Sequence, residues 1–189
     1  MKCLQNLCRS SLVFFIICSA QLTANELDLR INDNSVHVNY AAANDSTMFG
    51  LGYFYKDSSA STNIINTDLH AKGQTAIGNL PMTIGIGFQG NFFKKNDFKG
   101  SAVGLGGSLR INIPEVVGLS VETALHYAPE VLSFGDADEF RRFSLQTNYH
   151  IIQNADISAG YQYLNAGHED TNSNHTIESG LFIGMKLKF

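Results

Sequence analysis

The stretch IESGLFIGMKLKF, residues 177–189, decides the fold class of this chain. One parity holds Ile177, Ser179, Leu181, Ile183, Met185, Leu187 and Phe189, and the other holds Glu178, Gly180, Phe182, Gly184, Lys186 and Lys188. A repeat of two residues places successive side chains on opposite faces of a β-strand. The stretch therefore predicts a strand with one apolar face and one face rich in glycine and charge.

The same alternation recurs upstream, in segments of about ten residues separated by clusters of Asn, Asp, Gly and Ser. After residue 25, no segment has the 3.6-residue period of an amphipathic helix. We predict ten strands, near residues 26–32, 35–43, 47–56, 61–72, 81–93, 100–113, 117–128, 137–150, 154–166 and 176–189. If 26–32 is not a separate strand, an even strand number leaves eight.

A soluble β-sandwich would bury the apolar face, whereas a membrane barrel would turn that face to lipid. Three observations favour the barrel. The polar face carries many Gly, Ser, Asn and charged residues, which suit a narrow hydrated interior, and the sequence ends in an aromatic residue without a polar tail. Tyrosines lie on the apolar face near segment ends, where interfacial girdles occur: Tyr40, Tyr53, Tyr55, Tyr127, Tyr149 and Tyr163. We predict an all-β, antiparallel transmembrane barrel.

Bacterial barrels place both termini in the periplasm and have short periplasmic turns. With ten strands, the outer connections are predicted at 33–34, 57–60, 94–99, 129–137 and 167–175. The inner ones are predicted at 44–46, 73–80, 114–116 and 151–153. The segment 73–80 is long for an inner turn.

Residues 1–24 have the features of a secretory signal peptide. Lys2 and Arg9 form a positive start, and residues 11–20 form a short apolar run. That run is too short for a spanning helix, which needs roughly 20 apolar residues. Cleavage is predicted after Ala24, with Ala20 as the alternative, leaving 25–189 as the barrel domain.

The predicted mature chain contains no cysteine, because all three cysteines lie in the signal. It therefore has no disulfide, although it passes through an oxidising compartment. It keeps all 17 acidic residues and loses two of the 13 basic ones, and this acidic balance argues against a nucleic-acid partner.

Three short motifs, YAPE at 127–130, GYQY at 160–163 and the stretch 184–189, resemble the YfaZ family of small outer-membrane proteins. The resemblance extends through most of the mature chain and is best after Gly100. It implies a barrel in the Gram-negative outer membrane, and it brings no defined activity and no cofactor.

The C-terminus also resembles the signal that the outer-membrane assembly machinery recognises. Gly184, Leu187 and Phe189 fit that pattern, whereas Phe182 stands where a polar residue is usual. The resemblance implies assembly by this machinery. The partners expected are that machinery, outer-membrane lipid and lipopolysaccharide.

Two motifs that could carry cofactor or metal chemistry are better interpreted structurally. Residues 85–90 (GIGFQG) match the dinucleotide G-x-G-x-x-G string, but no helix follows to hold a pyrophosphate. These glycines are expected to let side chains from opposite walls pack. His168, Glu169, Asp170 and His175 could hold a metal, but they lie in a polar loop, and no metal site is predicted.

His126 is the one candidate catalytic residue. It lies on the predicted inner face, beside a loop that contains Glu130, Ser133, Asp136 and Asp138. A histidine oriented by a carboxylate near a serine is the arrangement of hydrolases and acyltransferases. No nucleophile motif marks Ser133, so a lipid-modifying enzyme is only the second alternative function.

The inward charges are the most informative group. Five acids and seven bases are predicted to face the interior: Asp28, Asp68, Glu122, Asp156, Glu178, Arg30, Lys56, Lys72, Arg110, Arg142, Lys186 and Lys188. Buried charges are tolerated when they are paired. A salt-bridge network filling a narrow barrel predicts a structural or interaction role with at most a slim pore. A porin-like channel for small solutes is the first alternative.

Overall fold

The computed structural model describes residues 24–58, 61–95, 98–168 and 173–189, which form an antiparallel barrel. Its strands are β1 (Ala24–Ile31), β2 (Ser35–Ala43), β3 (Thr47–Lys56), β4 (Thr62–Ile77), β5 (Leu80–Lys95), β6 (Phe98–Asn112), β7 (Leu119–Ala128), β8 (Ser133–Gly135), β9 (Ala137–Ile152), β10 (Ala155–His168) and β11 (Ser173–Lys188). Ten long strands follow the order β5-β4-β3-β2-β1-β11-β10-β9-β7-β6, and β5 pairs with β6 to close the sheet. The predicted antiparallel barrel of ten strands is confirmed.

β1 is a separate strand that joins the two ends of the chain. It pairs with β2 on one side and with β11 on the other. The backbone N–H groups of Asn25 and Phe189 each donate to the other residue's carbonyl, both at 3.0 Å. Because Leu27–Ile31 forms its own strand, the alternative of eight strands does not apply.

The two ends of the barrel differ, and we name them the terminus end, which holds Ala24 and Phe189, and the loop end opposite. Turns at the terminus end occupy 44–46, 78–79, 113–118 and 153–154. The longest connection at the loop end, 129–136, contains a 3₁₀ turn (Glu130–Leu132) and β8, which pairs with the start of β6. The predicted signal falls mostly on residues 1–23, which lie outside the described residues, as do parts of the predicted loops 57–60, 94–99 and 167–175.

The prediction of a long inner turn at 73–80 is wrong. β4 and β5 continue their pairing to Ile77 and Leu80 across the two-residue turn Gly78–Asn79, where Gly78 has a φ of 59°. Residues 73–79 are all exposed, because the neighbouring β3 pairs with β4 only as far as Ala71. A hairpin that projects beyond the barrel needs no alternation of apolar residues, so its polar sequence resembles a loop.

The apolar parity of each strand faces outward. Its members include Leu69, Ile86, Leu125, Leu181 and Ile183, whose exposed fractions lie between 57% and 75%. The six predicted girdle tyrosines are outward and exposed or half-buried, with Tyr40 and Tyr149 toward the terminus end and the others toward the loop end. Among the described residues, no helix is long and apolar enough to cross a membrane.

Leu181→Arg tests the outward face directly. Leu181 lies mid-strand in β11 with 75% of its surface exposed, so a charge there would sit in lipid. We expect a loss of about 2–4 kcal/mol in the free energy of unfolding in lipid vesicles. Val117→Arg, in a terminus-end turn and 90% exposed, is the control and should be near neutral. Equal effects of the two substitutions would contradict a lipid-facing β11.

Candidate functional site: the barrel interior

The barrel interior has three levels between its two ends. Charged residues dominate at the terminus end, histidines and amides join ion pairs in the middle, and apolar side chains fill the loop end. These levels follow from strand parity, because every second residue of each strand points inward.

At the terminus end, Asp156 holds three cationic partners. Its carboxylate is 3% exposed and lies 2.6 Å from His150 Nδ1, 2.6 Å from Lys188 Nζ and 3.3 Å from Arg110 Nη2. The partners come from β9, β11 and β6, so three walls of the barrel converge on one side chain. A buried carboxylate needs such compensation, because an unpaired buried charge is very costly.

Glu122 and Lys186 form the next ion pair toward the middle, at 3.0 Å. Gln146 and Asn148 donate amide hydrogen bonds to the same Glu122 oxygen, both at 3.4 Å. Glu26 links this pair to the terminus end, at 3.7 Å from Lys186 and 4.0 Å from Arg110. We call Glu26, Arg110, Glu122, Asp156, Lys186 and Lys188 the terminus-end charge cluster.

Two arginines occupy the middle of the barrel. Arg30 pairs with Asp28 of its own strand at 2.8 Å, and its guanidinium lies 5.1 Å from the ring centroid of Phe182. Arg142 donates from Nη2 toward Nε2 of His37 at 3.2 Å. Glu178, nearer the loop end, is paired with Lys56 at 3.2 Å.

Two buried histidines meet in the middle level. His70 on β4 and His126 on β7 are 2% and 4% exposed, and their Nε2 atoms lie 2.8 Å apart. Asp68, also on β4, accepts hydrogen bonds from Gln89 at 2.6 Å and from Asn66 at 2.8 Å. One ligand atom from each of Asp68, His70 and His126 lies within 4.8 Å of the other two. Imidazole and carboxylate are metal-ligating groups, so these three residues could hold a metal ion.

At the loop end, ten buried apolar residues form one cluster, which we call the apolar cluster. Its members come from seven strands: Phe54, Ile64, Phe93, Ala102, Ala128, Ala137, Phe140, Leu164, Ala166 and Ile177. Phe93 and Phe140 stack with ring centroids 5.9 Å apart. Gly100 makes room for them, because a Cβ there would lie 2.5 Å from the Phe93 ring. Apolar side chains thus extend into the interior from most of the wall.

Comparison with known proteins identifies the family. A sequence model described as "YfaZ precursor" matches residues 4–189. The chain belongs to the YfaZ family. A relative, "Outer membrane protein YfaZ" of Escherichia coli (strain K12), is 28% identical over 110 residues, which cover 58% of this chain and 59% of that protein. The match thus spans about three fifths of that relative's length. The predicted family and the outer-membrane location are both confirmed.

Solved structures similar to this YfaZ-family barrel include outer-membrane proteins. A "bacterial polysaccharide outer membrane secretin" has a TM-score of 0.45 at 9% identity, covering 88% of this chain and 69% of that one. The "KdgM porin in complex with disordered oligogalacturonate" has a TM-score of 0.43 at 10% identity, with coverages of 88% and 99%. Neisserial surface protein A has a TM-score of 0.36 at 14% identity, with coverages of 88% and 94%.

The predicted inward charges differ in their partners. Arg30, Arg110, Glu122, Asp156, Glu178 and Lys186 are brought together in ion pairs, as are Asp28, Lys56 and Lys188. Lys72 instead donates to the backbone carbonyl of Asn44, at 3.4 Å. Among the described residues, Asp68 and Arg142 make no ion pair within 4.0 Å.

The predicted surroundings of His126 are not those of the YfaZ-family barrel. Its ring contacts His70 rather than the loop residues. Ser133 donates to the carbonyl of Pro129, and Asp136 accepts from the Lys99 N–H. The carboxylate that accompanies His126 is Asp68. Of the weighed loop site, Glu169 and Asp170 lie outside the described residues, as do the side chains of His168 and His175.

The sequence interpretation missed Glu26, His70 and the large members of the apolar cluster. Strict alternation would have placed Glu26 inward, two residues before Asp28. Phe54 lies between two tyrosines and Phe93 follows Phe92, so runs of aromatics hid the parity there. The assembly-signal residues lie on β11: Gly184 faces inward, Leu187 pairs with Leu27, and Phe189 is 66% exposed.

Asp156→Asn tests whether the terminus-end charge cluster stabilises the barrel. The substitution leaves three cations without their common anion, and we expect a loss of about 3–5 kcal/mol in unfolding free energy. Glu139→Gln is the matched control, because its partner Arg141 is 52% exposed and such surface pairs contribute about 0–1 kcal/mol. Urea unfolding in vesicles measures both. Similar losses would contradict the importance of burial at Asp156.

Proposed function

We propose that this protein is a closed outer-membrane barrel with a structural or interaction role and at most a narrow pore. The observation that carries the proposal is the apolar cluster at the loop end. Its five large side chains, Phe54, Ile64, Phe93, Phe140 and Leu164, are each at most 4% exposed. Hydrophobic constrictions oppose ion passage because water leaves them.

The strand number supports the same proposal. Barrels of about eight strands are just wide enough for side chains to fill, whereas open aqueous channels need about 16–18 strands. Ten strands lie near the lower limit. Inward ion pairs such as Lys186–Glu122 and Arg110–Asp156 occupy much of the remaining interior.

A porin-like channel for small solutes is the alternative that one observation favours. A pocket of about 420 Å³ lies at the terminus end, lined in part by Arg110, His150, Asp156 and Lys188. Charged residues around a mouth attract ions and polar solutes. For such solutes to cross, the apolar cluster would have to move aside.

We also propose the partners of the outer face and of the last strand. The apolar outer face would contact outer-membrane lipid and lipopolysaccharide. Gly184, Leu187 and Phe189 would serve the assembly machinery, and their location on β11 suits this role because β11 and β1 close the barrel. Lipid modification centred on His126 gains no support from the described contacts.

Conductance in planar bilayers tests the closed interior. We expect wild-type protein to give no reproducible large steps. The double variant Phe93→Ala/Phe140→Ala removes the stacked pair and should give larger or more frequent steps. It should also cost about 3–5 kcal/mol per substitution, so heat-modifiable gel migration must first show a folded barrel.

Phe88→Ala/Phe92→Ala is the matched control for that variant. Both rings lie on the outer face of β5, 55% and 57% exposed, and their loss should leave conductance at the wild-type level. Large wild-type steps would favour the porin-like alternative. An unchanged conductance of the folded Phe93→Ala/Phe140→Ala variant would also overturn the proposal.

A further inference from the structure

The histidine pair spans two glycines, one on each of the two strands that separate it. In register, His70 on β4 is opposite Gly87 on β5, Gly87 is opposite Gly106 on β6, and Gly106 is opposite His126 on β7. Adjacent strands are about 4.8 Å apart, so the two histidines originate three strand spacings apart. Their rings nevertheless meet, because the intervening residues carry no side chain.

The two glycines are required for this approach. A Cβ at Gly87 would lie 2.7 Å from His70 Cα, and a Cβ at Gly106 would lie 2.7 Å from His126 Cα and 2.8 Å from its Cδ2. Real Cβ atoms essentially never come that close. The sequence therefore keeps open the space in which the two imidazoles meet.

The groups around the pair have unmet electrostatic needs. His70 Nδ1 is buried without a hydrogen-bond partner, which costs roughly 1–3 kcal/mol. Asp68 is 8% exposed and makes no ion pair within 4.0 Å among the described residues. The other buried acids of the interior, Asp28, Asp156 and Glu178, each have a cation.

A divalent cation would meet these needs. Two imidazoles and one carboxylate form a ligand set that binds zinc and other late first-row divalent ions. Ligand atoms on a tetrahedral ion with bonds of about 2.0–2.1 Å are roughly 3.3 Å apart. The three groups already lie within 4.8 Å, so small side-chain movements would bring them to an ion.

Two amides already orient the carboxylate. Gln89 and Asn66 donate to different oxygens of Asp68, which leaves each oxygen a free lone pair. Such outer-shell hydrogen bonds are typical of metal sites, where they fix the ligand. We propose that Asp68, His70 and His126 bind one late first-row divalent metal ion inside the barrel. The rival occupant is a proton shared within the group.

Cobalt titration of the purified barrel tests the proposal. The chain is taken from outer membranes in detergent with a tag that contains no histidine, stripped with chelator and titrated with Co²⁺. Wild-type protein should take up one equivalent and develop the visible absorption of tetrahedral or five-coordinate Co²⁺, and Zn²⁺ should displace it. No uptake would overturn the proposal and leave the shared proton.

Ligand variants locate the bound ion. His126→Gln and Asp68→Asn should each weaken Co²⁺ binding at least about tenfold, since even outer-shell changes cost about 10–100-fold. His150→Gln, which removes an inward histidine at the terminus end, should bind like wild type. Unchanged binding in the ligand variants, or an equal loss in His150→Gln, would overturn the proposal.

X-ray absorption of the Zn²⁺-loaded wild-type protein makes the test independent of variant folding. We expect two imidazole nitrogens and at least one oxygen at about 2.0–2.1 Å. A spectrum with fewer than two imidazoles would contradict the site. The closure by the apolar cluster is a separate claim and stands or fails on conductance alone.

Discussion

The closing of the sheet is the constraint on which the rest of this structure depends. In a bilayer, every backbone N–H and C=O must be paired within the protein, so a sheet with free edges cannot span it. Here β1 and β11 meet through a continuous register that ends with the mutual hydrogen bonds of Asn25 and Phe189. Once the ring is closed, the two-residue repeat separates the side chains into a lipid face and an interior.

Closure also determines what the interior must contain. Ten strands enclose a narrow space, and the polar parity of each strand fills it with charges that water reaches poorly. These charges are balanced mostly by partners from other strands, as Asp156 is by Arg110, His150 and Lys188. Asp68 instead has amide partners and two histidines beside it. The loop end avoids the cost of charge altogether, because apolar residues fill it.

The strand positions could be predicted because they depend on local patterns. The observed bounds of β2 and β3 are those that alternation predicts, and the direction of Asp156 or Lys186 follows from parity alone. The end of β4 could not be found in this way, since residues 73–77 are exposed on both faces. Apolar residues on the inner face were missed because Phe54 and Phe93 lie beside outward aromatics.

The pairing inside the barrel could not be predicted from local patterns. His70 and His126 are 56 residues apart in sequence and meet because of the register of four strands and the two glycines between them. The ion pair of Glu122 with Lys186 likewise joins strands that are not neighbours. Such contacts depend on strand number and stagger, which a single sequence does not specify.

The direction in which β11 presents its side chains can be measured directly. The predicted mature chain has no cysteine, so single cysteines at Leu181, Phe182 and Ile183 can carry nitroxide labels in lipid vesicles. Paramagnetic accessibility should show high oxygen contact at Leu181 and Ile183 and low contact at Phe182. The opposite pattern, or equal accessibility at all three positions, would contradict a barrel whose apolar parity faces lipid.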